Sequence, residues 1–67
     1  MRVDVATYAG FKAYVNAIDD GIEVTYHDAE GREINREMFA GVKDYRLKQE
    51  HIDAQLKKYW EHRIDSN

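Results

Sequence analysis

Sixty-seven residues with no proline, no cysteine and a net charge of −3 make a small acidic chain. A chain this short buries only about 60% of the surface it exposes when unfolded, which excludes a deep cavity between domains and leaves a thin margin of stability. No run approaches the roughly 18 apolar residues that span a bilayer, and the start Met1-Arg2-Val3-Asp4 leads into no signal peptide, so a cytoplasmic protein is expected.

Residues 2–6 alternate weakly through Val3 and Val5 and suit either a short strand or an extension of the next element. Over 7–20, Tyr8, Phe11, Tyr14, Val15 and Ile18 recur at spacings of three and four, which predicts a helix with one apolar arc. Thr7 suits its N-cap and Gly21 its C-terminal end. Ile22, Val24 and Tyr26 then alternate with Glu23, Thr25 and His27, the period of a strand with one buried face. Asp28-Ala29-Glu30-Gly31 is a turn, and Arg32-Glu33-Ile34 begins a returning strand.

Residues 35–48 admit two readings. As strands, Ile34–Phe39 and Val42–Leu47 flank Ala40-Gly41 and complete a three-stranded meander, which Val42, Tyr45 and Leu47 favour. As a helix, Asn35 caps a short turn holding Met38, Phe39 and Val42. A final helix covers about 48–64, with Ile52, Leu56 and Tyr59 on one line and Trp60 and Ile64 beside it. Asp53 and Lys57 form an acid-before-base pair on it. The expected architecture is one α+β domain over 1–67 with a frayed tail at 65–67. It consists of a helix, an antiparallel meander of two or three strands and a C-terminal helix, both helices on one face of the sheet.

Chemistry is sparsely represented. His51 and His62 are three helical turns, about 16 Å, apart, too far to share an ion, and no thiolate is present. Ser66, the one serine, stands in the tail away from any base. Asp19, Asp20 and Glu23 stand at a solvated element boundary, where no carboxyl acquires a raised pKa. No glycine-rich phosphate loop occurs. An enzyme is therefore not expected, nor a cofactor or metal.

Three surface patterns remain. Ala9, Ala13 and Ala17, with Ala6 and Gly10, form a small-residue stripe on the predicted first helix, and a solvated helix face normally carries more charge than this. His51, Gln55, Lys58 and His62 line one side of the last helix and would meet an acidic partner or phosphates, more strongly as pH falls. Five tyrosines, two phenylalanines and one tryptophan exceed what so small a core encloses, and Trp60 suits an interface anchor.

Charge is uneven as well: residues 1–35 sum to −4 and residues 36–67 to +1, an asymmetry that steers a partner or favours self-association. Together these features predict a non-catalytic protein that binds or inhibits a larger protein and itself associates, for instance as a homodimer. By analogy, such chains are common among phage and mobile-element accessory proteins. A nucleic-acid module using the C-terminal helix is the alternative.

Overall fold

From Phe11 to Ala17 the residues also alternate, Phe11, Ala13, Val15 and Ala17 against Lys12, Tyr14 and Asn16, and this period of two is the one the chain adopts. The computed structural model describes residues 2–65. It has four strands, β1 (Arg2–Tyr8), β2 (Phe11–Ile18), β3 (Gly21–His27) and β4 (Glu33–Ala40), then a 3₁₀ turn at Tyr45–Lys48 and helix α1 (Gln49–Asp65). The strands form one antiparallel sheet in the order β1-β2-β3-β4. The α+β class is as expected. The first helix is not: residues 7–20 are the end of one strand, a turn and the whole of the next.

Local chemistry explains the correction. Val3, Val5, Thr7, Tyr8, Phe11, Tyr14, Val15 and Ile18 are β-branched or aromatic, and such side chains lose more freedom in a helix than on a pleated surface. Ala9 and Gly10 both take positive φ, 52° and 88°, which makes them the two-residue primed turn that matches strand twist. Asp19-Asp20 closes the second hairpin between Ile18 and Gly21. The predicted third hairpin stands as expected. The Asp28 carboxylate accepts from the amides of Glu30 (3.0 Å) and Arg32 (2.9 Å), and the Arg32 guanidinium reaches back to it.

The strand predicted over Val42–Leu47 is also absent. After β4 the chain turns at Gly41, and Asp44 accepts from the Arg46 amide (3.0 Å) to start the 3₁₀ turn. Val42 and Tyr45 pack against the core instead of pairing with β4. The outer edge of β4 is consequently left without a neighbouring strand among the described residues.

One face of the sheet is covered by α1. Phe11, Ala13 and Val15 of β2, Ile22, Val24 and Tyr26 of β3, and Ile52 and Leu56 of α1 are buried together. The predicted line of Ile52, Leu56 and Tyr59 is the face α1 buries, although Tyr59 remains half-buried. Trp60 packs edge-on to Tyr8 at 5.7 Å, and the Gln49 amide donates to the Val5 carbonyl at 3.0 Å. Asp53 accepts from Gln49 at 3.2 Å. The helix thus runs alongside β1, and the opposite face of the sheet carries no covering layer among the described residues. No helix of the described residues is long and apolar enough to cross a membrane. Ser66 and the end of the expected tail at 65–67 lie outside the described residues.

Candidate functional site

The predicted alanine stripe is dispersed by the sheet. Ala13 is fully buried in the core, Ala9 is in the exposed turn between β1 and β2, and Ala17 is exposed near the end of β2. Ala6 is half-buried against the core. The helical spacing that grouped them has no counterpart in the fold, and Ala13 is inaccessible to any partner. Trp60 is half-buried under Tyr8 rather than presented as a free anchor.

The histidine-bearing side of the last helix divides in two. His51 and Gln55 face β4, where both bind the Glu37 carboxylate, His51 Nε2 at 3.0 Å and Gln55 Nε2 at 3.2 Å. The Tyr26 hydroxyl donates to the same carboxylate from β3. Gln55 also donates to the Tyr59 hydroxyl, which accepts in addition from Asn35 at 2.6 Å. Lys58 and His62 remain exposed. These four residues therefore do not form one continuous anion-binding face.

Glu37 is the hub of this network, and nothing in the sequence marked it beyond its being an acid two residues from Phe39. Burial alone would raise its pKa. Hydrogen bonds from Tyr26 and His51, the electrostatic pull of the His51 ring and the Gln55 amide outweigh that, so the carboxyl ionises below the ordinary range. Burial, followed by the bond to Glu37, pushes the Tyr26 hydroxyl the other way, so it stays a donor at any physiological pH. Both carboxylate oxygens are occupied by the protein's own donors. The arrangement clamps β4 to α1.

A depressed pKa fixes the sign of a pH effect. The stability Glu37 contributes is full above the unfolded carboxylate value of about 4.3 and is lost as pH falls through the lower folded value. Glu37→Gln is thus expected to lower the urea midpoint at pH 7, with the difference from wild type narrowing at pH 3. A difference that is the same at both pH values would contradict this account.

Clefts flank the sheet, and two of them are lined by aromatic rings. One, of about 390 Å³, lies between the end of α1 and the β3–β4 turn and includes Phe11, Ile34, Tyr59 and His62 beside the Asp28–Arg32 ion pair. The other, on the uncovered face, is centred on Tyr14, whose ring has the Arg2 guanidinium over it at 4.2 Å and His27 edge-on at 5.0 Å. Among the described residues no three His, Asp or Glu side chains converge as metal ligands.

The feature with the clearest chemical demand is the β4 edge. Gly41 N–H donates to Asp20 O, and a Cβ on Gly21 would meet the Phe39 carbonyl at 2.0 Å, so the polar groups of Phe39 and Gly41 face β3. Backbone direction alternates along an antiparallel strand. Glu37 and Asn35 therefore also face β3, while the N–H and C=O of Arg36, Met38 and Ala40 point away from the sheet. All three are exposed, and Met38 retains 62% of its accessible surface. The signal that would have located this edge is the alternation at 11–17: four strands ending at Ala40 leave β4 outermost.

Comparison with protein-family models, with curated proteins and with solved structures yields no match to this chain.

Proposed function

We propose that this chain is a non-catalytic interaction protein that binds, and in doing so inhibits or organises, a protein partner by adding a strand to the edge of β4. The observation that carries this reading is the asymmetry of the two sheet edges. At β1 the pairing register shifts between Asp4 and Ala6, and the Val5 carbonyl is already taken by Gln49. At β4 pairing is regular from Asn35 to Ala40, and the outward backbone groups of Arg36, Met38 and Ala40 have no strand beside them. Unpaired edges of this kind template a further strand, and natural sheets usually blunt them with bulges or a covering element. Each edge pairing has one register shift, but that of β1 falls in mid-strand, whereas that of β4 lies before Asn35 and leaves Asn35 to Ala40 regular.

The aromatic surplus takes a different part from that of a free anchor. Tyr8 and Trp60 meet edge to face at β1, and Tyr26 and Tyr59 do so at 5.2 Å between β3 and α1, which fixes these rings within the fold. Amide hydrogen exchange tests the proposal. On association, the Arg36, Met38 and Ala40 amides are expected to slow, while those of Asn35, Glu37 and Phe39 are slow throughout. Association that slows amides elsewhere and leaves these three unchanged would overturn it.

A further inference from the structure

We infer that the strand added to β4 is β4 of a second copy, running antiparallel about a two-fold axis through Met38 to give a continuous eight-stranded sheet. This rests on the reading of β4 as the binding edge and adds the identity of its occupant. The argument is one of register. A two-fold axis perpendicular to the sheet keeps each side chain on its own face, so the axis must pass through a residue rather than between two.

The axis can stand at any residue from Asn35 to Ala40, and only at Met38 does it set all three outward residues, Arg36, Met38 and Ala40, against one another. With the axis at Arg36, two guanidinium groups stand directly opposite each other. With the axis at Glu37, two carboxylates do, and like charges so placed are destabilising. With the axis at Met38, two methionines meet, Arg36 lies opposite Ala40, and Glu37 lies opposite Phe39. No like charges oppose in that register. It also places the outward groups of Arg36, Met38 and Ala40 against their counterparts in three hydrogen-bonded pairs, about six bonds in all. The central apolar contact is made by Met38, the residue of β4 with the most accessible surface among its exposed apolar side chains.

The other elements are compatible with this pairing. The backbone of α1 runs nearest β1 and β2 and reaches β4 only through side chains such as His51 and Gln55, so the two helix axes of a dimer are separated by at least four strand spacings, about 19 Å. Packed helices approach to about 10 Å, so these do not collide. The shifted register and occupied carbonyl at β1 oppose a β4-to-β1 contact, which would propagate as an open filament. The pairing closes on itself as a dimer.

The test is the mass in solution over a concentration series for wild type, Met38→Lys and Met38→Pro, with circular dichroism to follow the fold. Lysine places two ammonium groups across the axis. Proline removes an amide that points outward and so spares the ladder to β3. Wild type is expected to have twice the chain mass at high concentration. Met38→Lys is expected to weaken the dimer more than about tenfold with the fold retained. Met38→Pro is expected to be monomeric, and if proline disturbs the strand, the lysine variant decides alone.

A wild-type monomer up to about 1 mM would overturn the self-pairing while leaving strand addition by another protein to be judged by amide exchange. A dimer that both variants leave unchanged would overturn self-pairing and the β4 edge together.

Discussion

Gly21→Ala is expected to unfold the sheet between β3 and β4. A Cβ at this position would stand 2.0 Å from the Phe39 carbonyl oxygen, 3.0 Å from its carbon and 3.1 Å from Ala40 Cα. All three are backbone atoms of the neighbouring strand, so no side-chain rotation relieves the overlap. β4 has to move away, and the ladder that holds it moves with it. Overpacking ordinarily costs about 1–3 kcal/mol, and a clash with backbone belongs at or above the top of that range. Gly31→Ala is the control: nothing lies within 4 Å of its Cβ, and only the positive φ of +85° resists, at about 1–2 kcal/mol. Chemical denaturation of the two variants makes the comparison, and a Gly21→Ala midpoint equal to that of Gly31→Ala would contradict the close approach of β3 and β4.

Leu56→Ala removes the centre of the contact between α1 and the sheet. Leu56 and Ile52 are both fully buried, and among the described side chains they are the buried apolar ones that α1 contributes to the core. Truncating such a leucine costs about 2–5 kcal/mol, depending on how far its surroundings collapse. A domain of this length has a total stability of roughly 3–10 kcal/mol, so much of the population unfolds or loses its helix. Lys58→Ala, on an exposed position of the same helix, is expected to change stability by less than about 0.5 kcal/mol. Thermal melting resolves the two, and a Leu56→Ala protein as stable as Lys58→Ala would place the core elsewhere.

These variants bear on function because β4 is held from both sides. Gly21 admits it closely on the β3 side, and α1 holds it through His51 and Gln55 on Glu37. An edge held rigidly loses less conformational freedom on binding than a mobile one, which favours association.

The sequence foretold the second half of this fold better than the first, for physical reasons. Between Ile22 and Ile34 one period operates, and a turn with its own Asx and glycine chemistry separates the runs. The last helix has apolar residues at only one spacing. Between Tyr8 and Ile18, in contrast, apolar residues satisfy periods of both two and near four, because Tyr14 and Ile18 are apolar on the uncovered face. Composition favours strand there, and Ala9-Gly10 is a weak turn signal because alanine rarely takes the left-handed conformation it has here. At Val42–Leu47, strand propensity is overridden by the Asp44 cap and by burial of Val42 and Tyr45 against the core.

The same two departures conceal the open edge of β4. With residues 7–20 as a helix, the small residues formed a face; as strands, they fall in the core, a turn and an exposed strand end. With 42–47 as a strand, β4 was an interior strand with no free edge. Glu37 was hidden for another reason: its partners Tyr26, His51 and Gln55 come from two other elements, and no local spacing reports such a meeting.

The central claim is that β4 presents an open edge whose outward backbone groups recruit a second strand. Amide exchange over a concentration series measures those groups directly. Arg36, Met38 and Ala40 are expected to exchange rapidly in dilute protein and to slow together as concentration rises, with Asn35, Glu37 and Phe39 slow throughout. Rapid exchange of the first three at every concentration, in a protein whose mass nonetheless doubles, would contradict the account.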